Sequence, residues 1–289
     1  MTQAVQTSTA ARPYRSALYI PGAKERALEK AKGLACDAIL FDLEDAVAPS
    51  EKDTARETLK AAIAAGGYGA RAKIVRVNGF DTQWGQDDVA AFVGADIDGI
   101  LLPKVEGAAM VEALAQAIPD VPIWAMMETP LGMLNAAEIA AHPRMAGFVM
   151  GTNDLAKELN ARFRADRLPM MGGLHLALLA AKAYGLVVLD GVYNAFKDDD
   201  GLKNECEQGR DMGFDGKTLI HPAQLATANA AFAPSAGEID LAERQIAAFE
   251  ACEAKGEAVA VVDGKIVENL HIVTARATLE KARAISAME

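Results

Sequence analysis

The stretch Ile123-Trp124-Ala125-Met126-Met127-Glu128-Thr129-Pro130 stays apolar up to a single carboxylate, and Pro130 and Gly132 then stop the run. An apolar run without polar alternation describes a strand covered on both faces, as in a parallel sheet. Glu128 is thereby delivered to the carboxyl end of a buried strand. A second run, Ala146-Gly147-Phe148-Val149-Met150-Gly151, repeats the design and leads through Thr152 and Asn153 to Asp154. A buried carboxylate without compensation costs on the order of several kcal/mol, enough to change its protonation state. A divalent cation would compensate both acids. Neither Cys nor His stands beside them, so the ligands would be oxygen only, which suits Mg2+, or Mn2+ in its place, rather than zinc. The alternative is that each carboxylate caps the helix that follows it.

Working outward, strand-like runs alternate with helical ones along most of the chain. Runs at 17–20, 38–41, 74–77, 99–102, 186–189 and 216–220 each end on polar or turn residues. Helical patterns occupy 24–34, 50–65, 87–93, 110–118, 134–141, 174–184 and 202–212, with Ser50 as the expected N-cap of the second and Asp53 in its first turn. About eight strand-helix units is the number that closes a parallel (β/α)8 TIM barrel. A doubly wound open sheet is the runner-up. It requires a glycine fingerprint after the first strand, and Pro21-Gly22-Ala23-Lys24 is not one. Gly66-Gly67-Tyr68-Gly69 follows a helix and reads as a turn.

The expected organisation is a disordered lead-in over 1–13, a barrel over 14–233 and an extension over 234–289. After Pro222, two Ala-rich helices at 223–231 and 239–255 precede a hairpin turning at Asp263-Gly264 and a last helix at 274–285. A barrel core does not need this extension, so it either covers a barrel mouth, its own or a neighbouring subunit's, or is a packing appendage.

With 29 Lys and Arg against 40 Asp and Glu, the formal net charge is −11, which argues against nucleic acid as a partner. The three cysteines, Cys36, Cys206 and Cys252, are far apart and make neither a disulfide framework nor a zinc site. No apolar run reaches the roughly 18 residues of a membrane helix, and residues 1–12 lack an apolar signal core. These features make a cytoplasmic protein the expectation.

In a parallel barrel the strand ends share one face, where Asp42, Glu44, Asp45, Arg76, Asn78, Lys104, Glu128 and Asp154 would converge. Arg76, between Val75 and Val77, would aim its guanidinium into the mouth, where a rigid fork suits a substrate carboxylate. Its alternative is a buried ion pair with one of the acids. Asp42, Glu44 and Asp45 are expected to hold metal-bound waters or to pair with Lys104 rather than to ligate directly. Lys24 and Lys30, about two turns apart on one helix, could reach a phosphate. His221 is either an acid or base or a structural hydrogen-bonder.

Several of these segments together resemble a known family: Arg15 to Gly22 (Arg-Ser-Ala-Leu-Tyr-Ile-Pro-Gly), Asp42-Leu-Glu-Asp-Ala-Val47, Val75-Arg-Val-Asn78, Leu102-Pro-Lys104, Glu128-Thr-Pro130, Gly151-Thr-Asn-Asp154 and the segment from Gly216 to Pro222. The chain is similar to the HpcH/HpaI aldolase and citrate lyase superfamily, in its citrate lyase beta-subunit-like branch. The resemblance implies a TIM barrel with Mg2+ on Glu128 and Asp154, and Arg76 on the carboxylate of glyoxylate or another small 2-oxo acid. It also implies Tyr19, Lys24 and Lys30 facing a CoA thioester, and a homo-oligomer, trimer or hexamer, whose tails reach over neighbouring mouths.

The activity implied first is a carbon–carbon lyase acting on malyl-CoA, beta-methylmalyl-CoA or citramalyl-CoA. A malyl-CoA thioesterase is second, and a citrate lyase beta subunit working on an acyl carrier protein is third. The family's proton carrier is an aspartate after the tail hairpin. This sequence has Glu268 there, one methylene longer, with Asp263 as a rival, and the change leaves room for hydrolysis.

Overall fold

The computed structural model describes residues 12–254, 256 and 258–288. The lead-in expected over 1–13 lies, but for its last two residues, outside the described residues. Strands and helices alternate as β1 Ser16–Pro21, α1 Glu25–Ala31, β2 Ala38–Asp42, α2 Lys52–Ala65, β3 Ala72–Arg76, α3 Gly85–Ala91, β4 Gly99–Leu102, α4 Ala108–Ala117 and β5 Ile123–Met127. They continue as α5 Pro130–Leu134, α6 Ala136–Ala140, β6 Met145–Met150, α7 Thr152–Glu158, α8 Met171–Ala183, β7 Val187–Asp190, α9 Asp199–Met212, β8 Gly216–Leu219 and α10 Leu225–Phe232. The eight strands pair in sequence order, all parallel, and β1 closes on β8, so the chain forms a closed (β/α)8 barrel.

Alternation along each strand sends one set of side chains inward and the other against the helices. Trp124, Met126 and Glu128 form one such series, and Ala38, Leu40 and Asp42 another. Between them they place apolar residues low in the barrel and charged ones at the mouth. The inner cluster includes Tyr14, Ile74, Leu101, Trp124, Met126, Val149 and Leu189, whereas Ile39, Phe41, Val75, Ile100 and Phe148 belong to the larger cluster under the helices.

Trp124 is 1 % exposed and fills the lower barrel, its ring centroid 5.3 Å from that of Tyr14. It fits because its neighbours are small. A Cβ on Gly99 would come within 2.8 Å of the indole and one on Gly147 within 2.4 Å. Burying an aromatic of this size contributes about 3 kcal/mol, and any side chain added at Gly147 would forfeit that packing.

Tyr14–Phe232 and Ala233–Glu289 form two compact units. The second contains α11 Ala236–Glu253, the antiparallel hairpin β9 Ala260–Val262 and β10 Lys265–Val267, and α12 Asn269–Ser286. Phe249, Val262, Val267 and Ile272 form its core. Asp263 and Gly264 both have positive φ, 50° and 74°, which is the turn that Asp-Gly favours between paired strands.

The structure corrects several local expectations. Ser50 is not an N-cap: Pro49–Glu51 is a single 3-10 turn that leads directly into α2. The helix read at 134–141 is two short ones joined at Asn135, and the last helix begins at Asn269. Helix α7 is a short element that the pattern analysis passed over, and it carries Asp154 in its first turn.

Candidate active site

A cavity of about 350 Å³ opens at the carboxyl ends of the strands. Its lining divides into two arcs. Asp42, Asp45, Arg76, Glu128 and Asp154 make an acidic wall from the β2 to β6 ends, while Pro21, Met150, Val192 and Ile220 make an apolar one that includes the β7, β8 and β1 ends. Tyr19 and Met126 lie among the lining residues, the Tyr19 hydroxyl donating to Met126 Sδ at 3.4 Å.

Glu128 is 1 % exposed and accepts the backbone N–H of Lys104 at 2.9 Å on Oε1. It caps no helix, because Thr129 is the N-cap of α5 and its Oγ1 accepts from Gly132 N. Lys104 presents that amide from a left-handed backbone, φ 49°, a conformation that costs a non-glycine residue about 1 kcal/mol. Gly151 leaves the carboxylate its space: a Cβ at Gly151 would come within 2.2 Å of Glu128 Oε2.

The Arg76 guanidinium turns inward as expected, and its fork is taken by Asp42 through Nε to Oδ1 at 2.8 Å and Nη2 to Oδ2 at 2.6 Å. Its Nη1 lies 2.8 Å from Glu44 Oε2 and 3.5 Å from Asp45 Oδ2, and the Tyr19 ring lies 4.8 Å from the guanidinium carbon. The ion-pair alternative therefore describes Arg76 in this structure, with the guanidinium still on the cavity wall. Glu44 Oε1 accepts from Lys104 Nζ at 2.7 Å, so of the three acids of the β2 loop Glu44 is the one that pairs with Lys104.

Burial, with the negative charges of Glu44 and Asp154 added to it, pushes the Glu128 carboxyl up to about 7, and Lys104 opposes this. Burial also raises Glu44, against the pull of Arg76 and Lys104. The Tyr19 phenol is raised by burial in spite of Arg76. Four carboxylates, Asp42, Asp45, Glu128 and Asp154, line the cavity with one cation, Arg76, while Glu44 pairs with Lys104 beside it. A divalent cation reduces that excess, and the donors available to it are oxygens. The described residues contain no group of three or more His, Cys, Asp or Glu arranged to hold a metal. Two carboxylates with water making up the shell is nevertheless how Mg2+ is commonly bound, so the residues fit that ion.

The remaining candidates lie elsewhere. Lys24 and Lys30 are exposed at and along α1, and neither lines the cavity. His221 is structural, its Nδ1 accepting from Ala223 N at 3.2 Å and its ring stacked on Phe196 at 4.6 Å. Glu268 belongs to the second unit, where its N–H donates to His271 Nδ1 at 3.0 Å, and Asp263 there is gripped by Arg244 at 2.8 and 2.9 Å.

Sequence reasoning missed the support behind the wall. The buried Lys52 Nζ donates to Leu43 O, Glu44 O and Asn78 Oδ1 at 2.8, 2.7 and 2.7 Å. Asp88, 0 % exposed, holds Asn78 N at 3.0 Å and accepts Arg56 Nε at 2.8 Å. Lys52 and Asp88 read as ordinary helix-face charges, and no local pattern separates them from solvated ones. Asn194 was also missed. It stands on the cavity wall after a strand whose visible signal stops at Asp190.

Residues 15–222 match the sequence pattern of the HpcH/HpaI aldolase/citrate lyase family. A (3S)-malyl-CoA thioesterase from Cereibacter sphaeroides (strain ATCC 17025 / ATH 2.4.3) is 70% identical over 96% of this chain and 97% of its own. The citrate lyase subunit beta of Leuconostoc mesenteroides subsp. cremoris is 34% identical over 93% of each. A CitE protein from Mycobacterium tuberculosis, solved with magnesium, acetoacetate and coenzyme A, superposes with a TM-score of 0.80 at 30% identity, covering 95% of this chain and 99% of that one.

These relatives correct the activity placed first. The names at 69 to 70% identity are those of thioesterases, and a lyase name enters only at 34%, so a carbon–carbon lyase is not the reading they back. No described helix is long and apolar enough to cross a membrane. By its sequence pattern, its closed barrel and its relatives, this chain belongs to the HpcH/HpaI aldolase/citrate lyase family.

Proposed function

We propose that the protein hydrolyses a 3-hydroxyacyl-CoA thioester, with (3S)-malyl-CoA as the substrate to test first. The observation that carries this reading is the 70% identity over 96% of the chain to a thioesterase of that specificity. The cavity is compatible with it, having an acidic, cation-holding wall for a carboxylate-bearing acyl group and an apolar rim for the thioester arm.

In this reading Mg2+ is held by Glu128 and Asp154, and when bound it supplies positive charge to the acyl oxygens. Arg76 attracts the substrate carboxylate, its plane fixed by the Asp42 fork, and the carboxylate competes for the Nη1 edge now beside Glu44 and Asp45. Lys104 fixes Glu128 through its amide and Glu44 through its ammonium. Tyr19 keeps Arg76 desolvated from below. Among the described residues no His, Cys or Ser lines the cavity, and in this reading water is the nucleophile and a carboxylate its base. The water oxygen adds to the thioester carbon, the carbon–sulfur bond breaks, and the proton taken from water ends on the thiolate, giving free CoA and the hydroxy acid. Asp45, the exposed acid of the wall, is our choice for that base, and Glu268→Gln in the same assay tests the second unit's acid.

A homo-oligomer is part of this proposal, supported by the exposed Leu134, Leu176 and Leu179 on α5 and α8. Sedimentation would measure it.

The deciding experiment incubates the protein with malyl-CoA and Mg2+ and follows free thiol and glyoxylate together. Thiol without glyoxylate is expected. Glyoxylate without thiol would overturn hydrolysis.

A further inference from the structure

We infer that Lys52, a buried cation behind the cavity wall, is a positioning residue for the hydrolysis: it ties down the turn from Leu43 to Asp45 and so holds Asp45 beside the Arg76 edge. Lys52 is 5 % exposed, and its ammonium spends all three N–H groups on neutral oxygens, Leu43 O at 2.8 Å, Glu44 O at 2.7 Å and Asn78 Oδ1 at 2.7 Å. A buried lysine is ordinarily paired with an acid. Here the charge acts through space instead: burial pushes the ammonium below its ordinary value, and the negative charges of Asp42, Glu44, Asp88 and Asp45 oppose this. Three of those four acids belong to the β2 end of the wall. The Trp84 ring, its centroid 5.3 Å from Nζ, covers another side of the ammonium.

What this grip fixes follows from the peptide planes of the turn. Leu43 O and Glu44 N are the two ends of one peptide unit; Lys52 holds the oxygen, and Asp42 Oδ1 accepts the N–H at 2.9 Å. Glu44 O belongs to the next unit, the one that leads into Asp45, and Lys52 holds that oxygen too. With both planes held, the two backbone torsions at Glu44 are fixed. Asn78 ties the turn to the end of β3, which carries Arg76, since its Nδ2 donates to Leu43 O at 2.9 Å. Its own place is set by Asp88, which accepts its backbone N–H at 3.0 Å and is held in turn by Arg56. The arrangement matters most for Asp45. Glu44 is anchored through its own carboxylate by Arg76 and Lys104, whereas the Asp45 side chain is 64 % exposed and meets Arg76 Nη1 only at 3.5 Å. An acid so loosely held stands where its backbone puts it.

The inference rests on the hydrolase reading with Asp45 as the base, and its test separates the two. Thiol release from malyl-CoA would be measured for wild type, Lys52→Met, Asp45→Asn and the double variant, with kcat referred to folded protein by circular dichroism. Lys52→Met should lower kcat about a hundredfold, the usual effect of displacing a reacting group by about 1 Å, and leave KM within about threefold, because the Asp42 fork still holds Arg76 for the substrate carboxylate. The double variant should be no slower than Asp45→Asn, because Lys52 acts through Asp45. If Lys52→Met does not fold, Asn78→Ala, which takes one of the three oxygens from Lys52 and leaves its charge, should show the same split at about tenfold. Wild-type kcat in the variant that folds, a rise in KM alone, or losses that multiply in the double variant would each overturn the positioning role. Wild-type kcat in Asp45→Asn would instead remove the base, and no thiol release by the wild type would remove hydrolysis, each taking the inference with it by a result of its own.

Discussion

The acids ending β2 and β5 and the acid ending β7 share a residue type and a level on the barrel, yet they turn to opposite sides of the sheet. Asp42 and Glu128 face inward, onto a cavity lined by four carboxylates and one cation, Arg76. Asp190 faces the helices. It is 0 % exposed and takes Arg167 Nη1 on both oxygens at 2.7 Å, while Lys217 Nζ reaches it at 3.2 Å and Glu205 at 2.6 Å. Two acids there meet two bases. The rear cluster is closed and neutral, as structural ion networks are, whereas the front one is open and short of positive charge. Strand parity therefore decides which of two similar carboxylates faces the open cavity.

The largest effect expected from this contrast is on chemistry. Glu128→Ala should lower Mg2+-dependent thiol release by about a thousandfold or more, roughly 4 kcal/mol of transition-state stabilisation. Full activity in that variant would remove Glu128 from the metal site.

The rear cluster should behave in the reverse way. Lys217→Met leaves Glu205 without its closest cation and should cost about 3–5 kcal/mol in urea unfolding, with kcat per folded molecule unchanged. A Lys217 variant that keeps its stability and loses kcat would end the structural reading.

Metal-free stability should separate the clusters by pH. The folded Glu128 carboxyl is raised from 4.5 to about 7, so between those values the native state holds a proton that the unfolded chain has released. Stability should then fall by up to about 3 kcal/mol as pH rises through that window, and level off above it. Glu128→Gln should flatten the curve. In the rear cluster burial raises Asp190, but Lys217 and Arg167 outweigh it and hold the carboxyl below the usual range. Its contribution is present above about 4 and is lost only as pH falls through the folded pKa, so the rear cluster of the unaltered protein should add no slope between 4.5 and 7.

The smallest effect concerns thiols. Burial pushes Cys36 up to about 11 and Cys206 up to about 12, so a thiol reagent at pH 8 should modify Cys252 first in the native protein. Early labelling of Cys206 would mean that the sheet behind Lys217 opens.

The barrel was legible because each strand is an apolar run closed by a polar stop, and eight such runs leave few other topologies. Glu128 was legible for the same reason. Parity was not: a strand buried on both faces carries no alternation, so the inward turn of Asp42 and the outward turn of Asp190 look alike in sequence. The engagement of Arg76 by Asp42 depends on the β2–β3 register, Asp42 opposite Arg76, which composition does not encode. Lys24 and Lys30 stand on a helix next to the mouth and lie outside the cavity lining.

Trp124 gives the barrel a floor, and a vessel with a floor has one doorway. A thioester enters such a vessel acyl end first, with its long arm filling the exit behind it. On the proposed reaction, the hydroxy acid is made at the blind end and must wait for the thiol to withdraw. Departure is thus ordered, CoA first and acid last, and steady-state kinetics should find the acid competing with the substrate for the free enzyme while CoA inhibits noncompetitively.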